Sequence, residues 1–165
     1  MLLFLIGCIF WKNNIGWHTQ KENHEIHLSS TIRYLHLFGP TAKLHLSPTP
    51  KYLAFGMESS PALFLSNVLP IEEVNNDILK EIYFLSAIGI DIGGIHFTKE
   101  KTSISLFSPY IQLHTPAFCP VKKRRTMLCV TAFGESQYHL ILGQKNTVNW
   151  NTGLSIHFGK GLFPY

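Results

Sequence analysis

Histidine and cysteine are the residue types in this chain best suited to hold a metal ion. The sequence has nine histidines and three cysteines. The segment His24-Glu25-Ile26-His27 is one residue shorter than the zinc pattern His-Glu-x-x-His, whose histidines lie one helical turn apart. On a strand its two histidines would point to opposite faces. Cys119 and Cys129 with His114 and His139 form a second set, but their spacing matches no zinc module. The sequence therefore predicts no metal site and no cofactor.

A glycine-rich stretch in the middle of the chain is the second candidate site. The run Ile88-Gly-Ile-Asp-Ile-Gly-Gly94 resembles the first phosphate loop of the sugar kinase, actin and heat-shock chaperone superfamily, in which a strand ends in Asp-x-Gly-Gly-Thr. The resemblance implies that Asp91 helps to hold a metal and that Gly93 and Gly94 form a turn against ATP phosphates. Ile95 stands in place of the threonine, and the motif lies behind a predicted helix instead of opening a domain. We interpret the stretch as a glycine bend between strands and keep nucleotide binding as the alternative function.

The basic run Lys122, Lys123, Arg124 and Arg125 is the one cluster of like charge in the sequence. Such runs bind anionic lipid headgroups or nucleic acid, or act as localisation signals. No aromatic residues interleave this run, as a single-strand binding surface would require, so nucleic acid is not an expected partner. On its own the run indicates a solvated loop. Together with an apolar N-terminus it would supply the two signals that stable attachment to a membrane surface needs.

The N-terminus is almost wholly apolar from Leu2 to Trp11. A spanning helix needs about 20 apolar residues, so this run is too short to cross a bilayer as a helix. It matches the apolar part of a signal peptide in length but lacks the positive start and the small-residue cleavage site. Leu5-Ile-Gly-Cys8 resembles the lipobox of bacterial lipoproteins, which implies acylation of Cys8, although no basic residue precedes it. We predict an apolar segment over 1–12 that is a buried N-terminal strand or a frayed end, with a lipid or membrane anchor as the alternative, and a single domain over 13–165.

Residues 27–53 consist of three similar nonapeptides, which begin at His27, His36 and His45. Prolines and a glycine exclude a continuous helix here. We predict a copied strand–turn unit that forms a small antiparallel meander, with strands over 32–37 and 42–46. The predicted turns lie at 29–30, 38–40 and 47–48. Since nine is odd, His36 falls at the opposite edge from the other two, and His27 meets His45 only if their strands lie close.

The strongest secondary-structure signal is an apolar stripe at spacings of three and four from Ile71 to Leu85. It predicts an amphipathic helix over about 71–87. Alternating patterns then predict strands over 88–92, 95–98, 103–106, 127–132, 138–142 and 154–158. Cysteine number and spacing indicate no disulfide framework. The predicted fold class is α+β, with one helix, antiparallel hairpins before and after it, and a C-terminal half that is mainly β.

Composition narrows the function but does not name it. Charged residues make up 15% and apolar residues 45% of the chain, with a formal net charge of +4. Charged residues make up roughly a quarter of typical soluble domains. The lower charged fraction of this chain is typical of a poorly soluble or membrane-associated protein. The segment Phe133-Gly-Glu-Ser-Gln137 lacks the second glycine of a nucleophile elbow, and no catalytic residue is predicted. The sequence favours a non-enzymatic basic protein that is membrane-associated, in preference to cytoplasmic, or acts by binding; a little-selected open reading frame fits as well.

Overall fold

The described part of the chain is built almost entirely from long antiparallel strands. The computed structural model describes residues 9–20, 23–34, 38–47, 49–61, 78–79, 82, 85–97, 102–123, 126–143 and 145–160. Within these residues strands account for 87% and no helix is among the elements. The strands are β1 (Ile9–Gln20), β2 (Asn23–Tyr34), β3 (Phe38–Ser47), β4 (Thr49–Ser59), β5 (Ala87–Phe97), β6 (Thr102–His114), β7 (Phe118–Lys123), β8 (Thr126–Ile141) and β9 (Thr147–Lys160).

Eight of the strands close into an antiparallel barrel. Strands β1 to β6 pair in sequence order, β1 also pairs with β9, β9 with β8, and β8 with β6. The strand β8 has 16 residues: its second half pairs with β6 and its first half with β7. The short strand β7 thus takes the place of β6 beside β8 at one end. Closure gives the backbone N–H and C=O groups of the eight strands hydrogen-bond partners on both sides. It thereby removes exposed sheet edges.

The polarity of the barrel is the reverse of that of a water-soluble domain. Among the described residues 26 polar or charged side chains are buried, against nine apolar ones. The strand β6 shows the pattern clearly, because buried Ser108, Tyr110 and Gln112 alternate with exposed residues such as Ile111 and Leu113. Successive side chains of a strand point to opposite faces, so the polar set lines the lumen and the apolar set covers the outside.

The two ends of the barrel differ in their contents. The terminal end, where β1 begins and β9 ends, holds a small apolar cluster formed by Phe10, Leu85, Met127 and Cys129. Phe10 and Met127 meet there because both are opposite Gly159 of β9. At the other end the hairpins β1–β2, β3–β4, β5–β6 and β8–β9 turn. We call this second end the histidine end, because several histidine side chains cluster near it.

The predicted α+β class is therefore wrong, and the chain is an all-β barrel. Most of the helix predicted over 71–87 lies outside the described residues. The described residues 78, 79, 82 and 85 are helical, the Ser86 amide donates to the Ile82 carbonyl at 2.9 Å, and β5 begins at Ala87. The prediction treats the helical pattern as a main element, whereas the strands before and after it make the wall of the barrel.

Several predicted turns lie inside strands. The pair 29–30 lies in the middle of β2, where Ser29 faces the lumen and accepts a hydrogen bond from Asn14 at 2.7 Å. Residues 151–153, just before the strand predicted over 154–158, lie inside β9, where Gly153 is directly opposite Gly16 of β1. A Cβ on either glycine would collide with the backbone of the other strand. These glycines mark a close approach of two strands and not a turn.

The nonapeptides do not correspond to structural units. The first lies mainly in β2, the second begins with residues 36–37, outside the described part, and continues into β3, and the third includes the end of β3 and the start of β4. Antiparallel pairing of these strands agrees with the predicted meander, but the strands are longer than predicted. The tandem repeat is thus a feature of the sequence and not of the fold.

Cys119 and Cys129 form a disulfide, which the sequence analysis did not predict. The hairpin of β7 and β8 brings them together, and the odd number of cysteines concealed the pair. The bond also removes both thiols from the Cys and His set considered as a metal site. Structural disulfides persist mainly in oxidising compartments outside the cytosol.

The N-terminal apolar run enters the barrel wall. The strand β1 begins at Ile9, so the predicted boundary at residue 12 falls inside a strand. Phe10 is buried in the lumen, whereas Ile9 and Trp11 are exposed outside. Cys8, the candidate for acylation, lies outside the described residues. Among the described residues no helix is long and apolar enough to cross a membrane.

Candidate functional site

The first charged group in the lumen is centred on Glu58. Its carboxylate accepts hydrogen bonds from Lys12 Nζ and from Arg33 Nε, each at 2.8 Å. The hydroxyl of Tyr110 donates to the same carboxylate at 3.1 Å. Arg33 also donates to the Ser86 carbonyl at 3.0 Å. Strands β1, β2 and β6 therefore each send a donor side chain across the lumen to the single carboxylate that β4 supplies.

The second charged group is centred on Lys43 of β3. Its Nζ lies 2.9 Å from Oε1 of Glu135 and 3.6 Å from Oδ2 of Asp91. Asn151 donates to Glu135 at 2.7 Å, and the Tyr52 hydroxyl donates to Asp91 at 3.3 Å. Each carboxylate thus has a cation and at least one further donor.

Gln112 of β6 joins the two charged groups. Its side-chain carbonyl accepts from Lys12 at 2.6 Å and its amide donates to Glu135 at 3.1 Å. The six charged side chains, each at most 3% exposed, are Lys12, Arg33, Lys43, Glu58, Asp91 and Glu135. Three cations balance three carboxylates, as the high cost of burying an unpaired charge requires. We call this set the ionic plug, because it fills the middle of the lumen.

Histidine side chains cluster with Tyr52 next to the ionic plug, towards the histidine end. The rings of His18 and His45 stack with centroids 4.2 Å apart, and His27 Nδ1 lies 2.9 Å from His45 Nε2. Tyr52 is next to His45, with centroids 4.9 Å apart. Two further histidines, His96 and His139, also lie within 5.0 Å of the Tyr52 ring. From the sequence, His27 and His45 can meet only if their strands lie close together. In the structure the two residues are directly opposite each other in β2 and β3.

The outside of the barrel carries an apolar belt. Each of the eight barrel strands contributes at least one large apolar side chain that is exposed. Examples are Trp11 and Trp17 of β1, Ile26 and Ile32 of β2, Phe38 of β3, Phe55 and Met57 of β4, Ile88 and Ile92 of β5, Ile111 and Leu113 of β6, Tyr138 and Leu140 of β8, and Leu154, Ile156 and Phe158 of β9. Aromatic residues lie towards both ends, with Trp11 opposite Phe158 at one and Trp150 opposite Thr19 at the other.

The candidate phosphate loop is part of the barrel wall. Asp91, Gly93 and Gly94 all lie on β5, where 93 and 94 together face Ala54 of β4. This is a β-bulge, and Gly93 adopts a φ of 66°, which favours glycine. Asp91 points into the lumen and accepts a short hydrogen bond from Gln137. Nucleotide binding by these residues stays a prediction, and thermal stabilisation by ATP with magnesium is its test.

The basic run lies at the hairpin between β7 and β8. Lys122 and Lys123 end β7, and the side chain of Lys123 is exposed. Arg124 and Arg125 lie outside the described residues. The run is thus at the terminal end of the barrel, away from the ionic plug. Its role as a lipid-binding patch stays a prediction.

The ionic plug is absent from the sequence-based predictions, although the sequence carries a signal for it. Over residues 26–34 of β2 the lumen-facing set His27, Ser29, Thr31 and Arg33 alternates with outward-facing Ile26 and Ile32. That alternation was divided between a turn and a short strand because of the two serines. No protein family, curated protein or solved structure matches the chain, so the functional argument depends on this geometry.

Proposed function

We propose that this protein is a β-barrel that spans a lipid bilayer, and that it serves there as a membrane-embedded binding or structural protein and not as an enzyme or an open pore. The observation that carries the proposal is the reversed polarity of the barrel. An apolar belt faces outwards while three cations and three carboxylates face the lumen. Strands that alternate apolar-out and polar-in are the signature of barrels that cross membranes.

The dimensions of the belt support a spanning barrel. A transmembrane strand needs about 9–11 residues, and the eight barrel strands have from 10 to 16. Ten residue steps separate Val148 from Phe158 of β9, or about 34 Å of extended strand. With the usual tilt of about 40° this covers about 26 Å along the barrel axis, close to the height of an outer-membrane apolar band.

Lipid fits the belt better than a protein partner does. The exposed apolar side chains lie on all eight strands, so they surround the barrel. A second copy or another protein would cover one side and leave the rest in water. Exposed charged residues lie in turns or near strand ends, as Lys123 and Lys145 do. The disulfide between Cys119 and Cys129 supports a location in contact with an oxidising compartment.

Reconstitution tests the proposal. The refolded protein should insert into phospholipid vesicles, resist extraction by alkaline carbonate and show a strand-rich circular dichroism spectrum. Its unboiled form should migrate differently from the boiled form on a detergent gel, since a closed barrel binds less detergent than an unfolded chain. In plain buffer the same chain should aggregate, because the belt would face water. A folded, monodisperse protein in buffer that vesicles do not take up would contradict the proposal.

The reconstituted barrel should not conduct ions. Eight strands leave a lumen just wide enough to be filled by side chains, and here the ionic plug and the apolar cluster occupy it. Planar-bilayer recordings should show no stable conductance above that of the lipid alone. Discrete, reproducible channel openings from protein whose folded state has been verified on a gel would show that the lumen is open, and would favour a pore.

A further inference from the structure

We propose that His18, Glu25 and His45 form a site for a first-row divalent metal ion, best suited to Zn²⁺, at the histidine end of the lumen. One ligand atom of each residue lies within 4.8 Å of the other two. The strands account for the arrangement, because His18 of β1 is directly opposite Glu25 of β2. His45 of β3 stacks on His18, with ring centroids 4.2 Å apart. Two imidazoles with one carboxylate are an established zinc ligand set.

The tautomer of His18 is suited to metal binding. Asn151 donates its side-chain amide to Glu135 at 2.7 Å, which identifies its other atom, Oδ1, as a carbonyl oxygen. His18 Nδ1 lies 2.6 Å from that oxygen and must donate to it. A neutral imidazole has one N–H, so the lone pair of His18 is on Nε2. Metal-ligating histidines usually donate their second nitrogen to an oxygen in this way, which orients the ring.

The neighbouring His27 leaves one nitrogen of His45 available as a ligand. His45 Nε2 contacts His27 Nδ1 at 2.9 Å, so His27 can accept the proton of His45 and leave His45 Nδ1 as a ligand atom. The other nitrogen of His27 is buried without a hydrogen-bond partner among the described atoms, as are one nitrogen each of His96 and His139. Both His27 and His139 are 0% exposed. In this tautomer His27 Nε2 carries the N–H, so its missing partner is an acceptor such as a water molecule and not the metal ion.

The geometry can close around an ion with small movements. Tetrahedral zinc with bonds of about 2.0–2.1 Å places its ligand atoms about 3.3 Å apart, so the three atoms must approach each other by an ångström or so. Glu25 is half-exposed, whereas His18 and His45 are buried, so the ion reaches the imidazoles from the carboxylate side. The inference goes beyond the proposed function, since it does not depend on what surrounds the barrel.

Titration of the detergent-solubilised protein with Zn²⁺ tests the site. Calorimetry should show saturable binding by one ion, and Co²⁺ should give the visible absorption of a tetrahedral nitrogen and oxygen site. His45→Asn should weaken Zn²⁺ binding by more than about 100-fold, because loss of an outer-shell partner alone costs about 10–100-fold. Glu25→Gln should weaken it strongly as well, and its half-exposed position keeps this variant folded.

His157→Asn is the matched control. His157 is as buried as His45 but contacts Thr131 and Phe10, away from the proposed site. This variant should bind Zn²⁺ like the unchanged protein, and the gel-shift of the unboiled form verifies folding of each variant. The proposal is wrong if the unchanged protein shows no saturable Zn²⁺ binding, or if His45→Asn and Glu25→Gln bind as tightly as it does.

Discussion

Replacement of Glu58 by glutamine should lower the free energy of unfolding by about 3–5 kcal/mol, the usual cost of breaking a buried ion pair from one side. Glutamine keeps the size of the side chain and an acceptor for the Tyr110 hydroxyl, so packing changes little. Its neutral amide no longer balances Lys12 and Arg33, which both contact the carboxylate at 2.8 Å. Urea titration of the vesicle-inserted protein, followed by tryptophan fluorescence, measures the change.

Two further variants separate loss of charge balance from loss of shape. Glu25→Gln makes the same chemical change at a half-exposed position and, with a chelator present, should alter the free energy of unfolding by no more than about 0.5 kcal/mol. Lys12→Met combined with Glu58→Gln should cost less than the sum of the single changes, because residues in one network couple by about 0.5–3 kcal/mol. Additive costs would mean that Lys12 and Glu58 do not stabilise one another.

Leu154→Arg should destabilise the membrane-inserted barrel by about 2–4 kcal/mol, the cost of an arginine on the lipid face near the bilayer midplane. Leu154 points outwards from the middle of the belt on β9, and its side chain is 54% exposed. On a surface that faces water the same change would shift the free energy by no more than about 0.5 kcal/mol. The experiment therefore distinguishes lipid from water as the solvent of the belt.

Val148→Arg is the matched control for position in the belt. Val148 is also 54% exposed and lies on the same strand and face, but near the histidine end. An arginine there can reach the membrane surface, so the cost should fall to about 0–1 kcal/mol. Unfolding of both variants in vesicles of the same composition gives the comparison. Equal, small costs at the two positions would argue against a bilayer around the barrel.

The sequence supported many local features of the fold. Alternation over 103–106 and 127–132 correctly predicted strands now found in β6 and β8, and the antiparallel pairing predicted after His27 is present in β2, β3 and β4. Gly93 was expected to bend the chain between two strands, whereas it forms a bulge within the single strand β5. The predicted strands are too short, because serines and glycines inside a strand resemble the residues of a turn.

Composition and alternation alone determined that the chain has few charges, a large apolar surface and many strands with one polar and one apolar face. They left open which face points inwards, because a period of two defines two faces without ranking them. Closure of eight strands into a barrel decided which face points inwards. It places Lys12 against Glu58, 46 residues away, and His27 against His45, 18 residues away. Charges buried in pairs are stable only when the tertiary structure brings their partners within hydrogen-bond distance. The ionic plug and the proposed metal site thus depend on strand register, a property that no local stretch of this sequence contains.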